Sequence, residues 1–330
     1  MISPQIYQLS ESLAKANLPS WRLSQVHNPS HFKKVEFPIQ VDKLWELGQL
    51  LDTMQENRFS AYMAEMGGLT DQEFNLLLTA CYQVIALQVN YLNKIPIIPL
   101  STLISSLSLY RNLLSLNPEL QSILEIGPGC GYLSYFLRNH HNLQDYSQTE
   151  SSQSFYLLQS LINDQCFTYK HVEYANIVNE SNIFFKAMPE CTEYSPVLNS
   201  IIKPKCFHYP WWKLGSIIEK KYQIVTSNAN LLEFSSYAFS DYIDIIECVL
   251  EPEGLFIAKC LGYPSNNNAS NVFNHISNKG FKLIHHSSGA VELYIFSKSE
   301  RNVEVNRISE ERSNYIIGDI VRIIECQLNE

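Results

Sequence analysis

Seven consecutive residues, Glu125-Ile126-Gly127-Pro128-Gly129-Cys130-Gly131, hold the densest chemical signal in the sequence. Glycine at three alternate positions lets a backbone turn sharply and approach a ligand with no Cβ in the way. An apolar run, Ser122 to Ile126, enters the loop and reads as a strand. The apolar segment leaving it, Tyr132 to about His140, reads as a helix, whose unpaired N-terminal N–H groups would favour a carboxylate. Glu125, two places before the first glycine, suits a cationic amino or sulfonium group. A dinucleotide fingerprint would need glycine or alanine at position 132, and tyrosine stands there.

A second acid follows at the expected distance. Glu150 closes the predicted strand Asp145 to Thr149, where a carboxylate can take both hydroxyls of a ribose. The plainer alternative is a turn glutamate, or a helix-capping neighbour of Ser151 and Ser152. With the acid-led loop, Glu150 points to S-adenosylmethionine as cofactor. Its expected contacts are Glu125, Gly127, Pro128, Gly129, Gly131 and Glu150.

Two further clusters border that place. Phe207-His208-Tyr209-Pro210-Trp211-Trp212-Lys213 closes the third predicted strand. Adjacent tryptophans next to proline make a flat wall for a base or a sugar face, with Trp211 expected at the cofactor, or else an aromatic core plug. His208 is a candidate general base, although a lone histidine is as readily structural. The fourth strand ends in Thr226-Ser227-Asn228-Ala229-Asn230-Leu231-Leu232-Glu233-Phe234. Asn228 is expected at the cofactor, Asn230 could orient an acceptor hydroxyl, and Glu233 is the first candidate to take its proton. Turn amides and a capping glutamate are the structural alternatives. Lys259 and Tyr263 at the fifth strand end are weaker candidates for an acceptor pocket.

The elements that position these residues alternate. Strands are expected at Ser122 to Ile126, Asp145 to Thr149, Cys206 to Tyr209, Tyr222 to Ser227, Gly254 to Leu261, Phe281 to His286 and Leu293 to Ser297. Helical patterns fall between them, with Phe155, Leu158, Leu161 and Ile162 on one face and another helix over Ser240 to Leu250. This predicts an α/β, doubly wound, Rossmann-like sheet of seven strands ending in an antiparallel hairpin around Gly289. Upstream, Leu44, Leu47, Leu50 and Leu51 recur at helical spacing, as do Phe74, Leu77, Leu78, Cys81 and Ile85. Thr70 followed three residues later by Glu73 is a capping-box signature. Residues 1 to 40 read as an arm or loop, and Ile308 to Gln327 as a terminal amphipathic helix. The expected division is a helical region over 1–118 serving as arm and lid, a catalytic domain over 119–300, and a C-terminal helix over 301–330.

Composition narrows the partners. Of the 330 residues 45% are hydrophobic, enough for a packed core, and the net charge of −9 argues against nucleic acid or an anionic membrane. The eight cysteines are scattered with no metal-ligand spacing, so no metal site is expected and the thiols read as reduced. No secretory signal or membrane span is visible, so a cytoplasmic location is expected.

These motifs together resemble the bacterial sugar O-methyltransferase family, within the class I S-adenosylmethionine-dependent methyltransferases. The resembling residues are Ile123 to Leu133, then Thr149-Glu150 with Phe155-Tyr156-Leu157, Pro210-Trp211-Trp212-Lys213, and Ile224 to Tyr237. The resemblance spans residues 119 to 262; its glycine loop is general to the class, and its Pro-Trp-Trp-Lys element is more specific. It implies methyl transfer to a sugar hydroxyl of a polysaccharide or nucleotide sugar, with a small-molecule or glycan substrate. The rivals are a small-molecule or N-methyltransferase of the same fold, a nicotinamide oxidoreductase (disfavoured by Tyr132), and an inactive cofactor-binding scaffold. A nucleic-acid methyltransferase would carry an Asn-Pro-Pro-Tyr or Pro-Cys element after the fourth strand, and none is present. The oligomeric state is not legible.

Overall fold

The computed structural model describes residues 2–17, 38–54, 57–176, 203–228, 231, 234–259, 267–300, 303, 305 and 311–329. Its strands are β1 (Ser122–Ile126), β2 (Asp145–Glu150), β3 (His171–Glu173), β4 (Cys206–Pro210), β5 (Tyr222–Asn228), β6 (Leu250–Lys259), β7 (Lys282–Ser287) and β8 (Leu293–Ser297). They form one sheet in the order β3-β4-β2-β1-β5-β6-β8-β7. Neighbours from β3 to β6 pair in parallel, and β8 runs against both β6 and β7. The chain builds outward from β1 to one side, then returns to β1 and starts the other side with β5. The carboxyl ends of β1 and β5 therefore flank a topological switch point, where sheets of this kind bind ligands.

Helices α1 (Pro4–Asn17), α2 (Leu47–Thr53), α3 (Phe59–Met66), α4 (Asp71–Leu87) and α5 (Leu100–Leu116) precede the sheet. The connections carry α6 (Leu133–Leu137), α7 (Gln153–Cys166), α8 (Ser236–Val249) and α9 (Asn267–Asn278), and α10 (Ile317–Leu328) follows β8. None of the described helices is long and apolar enough to cross a membrane.

Alternation within each strand feeds two cores. Ile123, Tyr146, Cys206, Ile224 and Ile257 join Leu109 and Leu113 of α5 and Leu133 and Leu137 of α6. Leu124, Ile126, Val225, Phe256 and Ala258 join Tyr242, Ile243 and Ile246 of α8. Strands buried on both faces read as nearly continuous apolar runs, which explains why they were visible in the sequence.

Four expectations change, the first being the terminal helix, expected over Ile308 to Gln327 and observed at Ile317–Leu328. The sheet has eight strands, because the three-residue β3 at its edge is too short to carry a period. Residues 4–17 form α1, where an arm or loop was expected: Ile2, Tyr7 and Ala14 are buried, and this sparse set escapes a search for apolar runs. The helix after the glycine loop spans only Leu133–Leu137, after which the chain continues in turns to His140.

The helical region upstream is locked by capping and one cation. Thr70 Oγ1 accepts from the Glu73 N–H at 3.2 Å, and Glu73 Oε2 accepts from the Thr70 N–H at 2.9 Å, completing the expected box. Arg111 on α5 donates to both Glu73 carboxylate oxygens and to the carbonyls of Met66 and Gly68. Leu69 and Ser313 exchange two backbone hydrogen bonds of 2.9 Å, which ties the tail to this region. Thr70→Ala should cost about 1 kcal/mol. Arg111→Met, which strands the nearly buried Glu73 carboxylate, should cost about 3 kcal/mol. Urea unfolding midpoints measure both, and equal costs would contradict the assignment of Arg111 as the tie.

Candidate functional site

The glycine loop leaves the end of β1 with Gly127, Gly129 and Gly131 at φ of 63°, 60° and 78°. These are left-handed conformations that only glycine adopts at little cost. The Gly127 N–H donates to the Thr149 carbonyl at 2.9 Å, binding the loop to β2. A Cβ on Gly131 would lie 2.9 Å from Gln159 Cγ, so that glycine is required for close approach of α7. A Cβ on Gly129 would meet nothing within 4 Å, so the loop presents open space there. The five residues of α6 carry little macrodipole for the anion-binding role expected of that helix.

Below the loop, strand register aligns a polar row. Glu173 pairs with His208, His208 with Gln148, Gln148 with Glu125, and Glu125 with Thr226. In-register residues of parallel strands share a face, so these side chains lie side by side. Glu125 is buried and accepts from the Tyr146 hydroxyl and, at 3.5 Å, from Gln148 Nε2. Burial pushes its carboxyl up to about 7, against the lowering effect of those donors.

Glu150 ends β2 and is also buried. Its Oε1 accepts from the N–H groups of Ser151 at 2.7 Å and Ser152 at 2.9 Å, and its Oε2 from Gln159 Nε2 at 3.1 Å. Burial raises its pKa, and these bonds oppose the rise. The capping alternative for Glu150 is thus realised alongside its place beside the loop. Gln159 is the hub: the same Nε2 donates to the Gly129 carbonyl at 2.7 Å, and its Oε1 faces His208 Nε2 at 3.0 Å. His208 is fully buried, stacks on Tyr156 at 3.7 Å, and places Nδ1 3.2 Å from Glu173 Oε2. Burial holds its pKa below the ordinary histidine value, with the Glu173 charge opposing. Both ring nitrogens are committed inside the protein.

Trp211 is fully buried, edge-on to Trp212, and its indole N–H donates to Glu11 of α1 at 3.1 Å. Tyr7 of α1 packs on Tyr156 and Trp212. The Tyr7 hydroxyl is buried without a hydrogen-bond partner, and its pKa is driven well up by burial and then by the charges of Glu11 and Glu150. Tyr7 is thus a buried donor within electrostatic reach of Glu150 that no acceptor among the described residues meets. Asn228 ends β5, half-buried, in register with Lys259, whose buried Nζ lies 3.4 Å from the Ser105 carbonyl. Glu233, Asn230 and Tyr263 lie outside the described residues.

Hydrogen bonds thus join the Gly129 carbonyl, Glu150, Gln159, His208 and Glu173, while Glu125 is held with Tyr146 and Gln148 in the neighbouring row. The sequence reading missed Gln148, Gln159, Tyr7 and Glu173. Gln159 and Asn163, four residues apart on the predicted helix among Leu158, Leu161 and Ile162, were the available signal. Among the described residues, His171, Glu173 and His208 also converge at metal-ligand spacing, where no metal set was expected. A cavity of about 480 Å³ lies apart, lined by Glu65, Arg111, Asn112, His285 and Arg312 among others and by no residue of the loop.

No protein-family model matches the sequence, and no curated protein sequence does. Solved structures similar to the chain include a TehB-like S-adenosylmethionine-dependent methyltransferase from Corynebacterium glutamicum, 11% identical, covering 58% of this chain and 86% of that one, TM-score 0.37. Another is an O-methyltransferase family protein from Burkholderia thailandensis: 12% identity, 60% and 57% coverage, TM-score 0.38. A third is an N-methyltransferase from Bradyrhizobium japonicum in complex with S-adenosyl-L-homocysteine: 9% identity, 58% and 85% coverage, TM-score 0.35.

Glu125 sets a pH dependence. Its folded-state value of about 7 exceeds the ordinary 4.5, so its cost is absent below pH 4.5, grows as the unfolded chain ionises, and is complete above pH 7. The stability lost across that window is on the order of 3 kcal/mol. Glu125→Gln should remove this slope in urea titrations run from pH 5 to 8; an unchanged slope would refute the burial argument. Gly131→Ala should destabilise by about 2 kcal/mol through strain and the contact with Gln159, and more than Gly129→Ala, in the same assay.

Proposed function

We propose that the chain binds S-adenosylmethionine at the carboxyl ends of β1, β2 and β4 and methylates a sugar hydroxyl. The observation that carries the reading is an acid-led glycine loop lying against a buried acid at the end of β2, at the switch point of the sheet. The sugar as acceptor rests on the resemblance of Pro210-Trp211-Trp212-Lys213.

In this reading Gly127, Pro128, Gly129 and Gly131 cradle the methionine end, and Glu125, ionised, faces its amino group. Glu150 takes the ribose hydroxyls. It already accepts from the Ser151 side chain, so a ribose hydroxyl would replace one hydroxyl with another at little desolvation cost. Trp211 backs the adenine edge, and Asn228 borders the reacting groups. Residues 1–118 act as a lid, with Tyr7 supplying the hydroxyl above Glu150, residues 119–300 as the catalytic domain, and 301–330 as a closing tail.

When bound, the cofactor supplies an electrophilic methyl group on sulfonium. The residues around it align the acceptor oxygen with that carbon and exclude water. A sugar hydroxyl is weakly nucleophilic, so Glu233 would accept its proton during methyl transfer. His208, its nitrogens committed to Gln159 and Glu173, is a positioning residue that holds Gln159 against Gly129 and Glu150. The enzyme would act in the cytoplasm on a nucleotide sugar or glycan.

Titration calorimetry with S-adenosylhomocysteine, alongside NAD, tests the reading. We expect one equivalent bound, no heat from NAD, and at least tenfold weaker binding in Glu150→Ala. A folded chain that binds NAD or neither compound would overturn it. Once an acceptor is in hand, Glu233→Gln should lower kcat about a hundredfold and leave S-adenosylhomocysteine affinity unchanged.

A further inference from the structure

We infer that His171, Glu173 and His208 form a zinc site at the β3–β4 edge of the sheet, with water as the fourth ligand. The three are neighbours by register, His171 and Glu173 on β3 and His208 opposite Glu173 on β4. Their side chains are 3%, 6% and 0% exposed.

Hydrogen-bond geometry carries the inference. Gln159 turns its NH2 group to two acceptors, the Gly129 carbonyl and the Glu150 carboxylate, and its oxygen to His208 Nε2, so that Nδ1 faces Glu173 Oε2, 3.2 Å away. His171 repeats the pattern. Its Nδ1 donates to Asp164 Oδ1 at 2.9 Å, and its Nε2, buried without a hydrogen-bond partner among the described residues, lies 3.9 Å from the same Glu173 oxygen. Two imidazole rings, each held at its outer nitrogen, thus turn their inner nitrogens to one carboxylate oxygen, the arrangement of a metal-ligand set.

The remaining features are those of a zinc environment. Each ring has its outer nitrogen held by a hydrogen-bond acceptor, which fixes tautomer and orientation. The second carboxylate oxygen, Glu173 Oε1, accepts from the Tyr156 hydroxyl and the Ala175 N–H, so it stays outside the set. The three ligand atoms lie within 4.8 Å of one another. Tetrahedral zinc with bonds of about 2.0 Å would hold them roughly 3.3 Å apart, a side-chain adjustment of about 1 Å. With three protein ligands the fourth position falls to water, as in open zinc sites. Through His208 and Gln159 the ion would fix the Gly129 carbonyl and Glu150, but the site stands on its own side chains and not on the methyl-transfer reading.

The test uses the full chain stripped with a chelator and titrated with Zn²⁺ and Co²⁺. We expect one equivalent of each, with cobalt showing the visible bands of a tetrahedral site and no thiolate charge-transfer band. His171→Ala and Glu173→Gln, folded by circular dichroism, should bind at least a hundredfold more weakly, and Asp164→Asn about tenfold. A folded wild type that binds neither ion stoichiometrically overturns the proposal. So do thiolate bands or undiminished binding in His171→Ala. Retention of zinc without S-adenosylhomocysteine binding would leave the site standing and remove only the proposed function.

Discussion

Three carboxylates, Glu125, Glu150 and Glu173, are buried around the carboxyl ends of neighbouring parallel strands, and the rest of the site is arranged to satisfy them. A buried carboxylate without donors would cost several kcal/mol, so each recruits its own set. Tyr146 and Gln148 serve Glu125, the Ser151 and Ser152 N–H groups at the entry to α7 and Gln159 serve Glu150, and Tyr156 serves Glu173. Gln159 and Tyr156 both stand on α7, so this helix has one permissible height above the sheet. Gly131 has no Cβ because a Cβ would prevent α7 from reaching that height.

The same requirement shapes the outer layer. α1 closes the β4 end by giving Glu11 to Trp211 and Tyr7 to the ring cluster, and Ser10 reaches the Ala175 carbonyl at 3.0 Å beside β3. The helices over residues 44–116 are held separately by the Arg111–Glu73 pair, and the tail joins them through Leu69 and Ser313. Segments distant in sequence therefore converge on the sheet from both ends of the chain. Their contacts are polar at a few points and apolar elsewhere, as expected for elements that must dock in one register.

Much of the fold was legible because parallel strands buried on both faces concentrate apolar residues into short runs. The runs at Ser122 to Ile126, Tyr222 to Ser227 and Leu293 to Ser297 became β1, β5 and β8 almost to the residue. The capping box at Thr70 was legible for a local reason: both of its bonds join residues three apart. β3 and α1 were not, since three residues have no measurable period and α1 carries its buried positions at Tyr7 and Ala14 among polar neighbours.

The sequence by itself determined the glycine loop, the acids Glu125 and Glu150 near the ends of the first two strands, and the alternation that makes a doubly wound sheet, because these depend on local sterics and on periods of two and 3.6 residues. Only the tertiary structure decided that His208 stands between Glu173 and Gln159. It also decided that His171 and Glu173 stand next to His208, though 35 positions separate the last two in the chain. Register between strands, and the height of a helix above them, are set by burial energies summed over the whole sheet. No short stretch of sequence contains that sum.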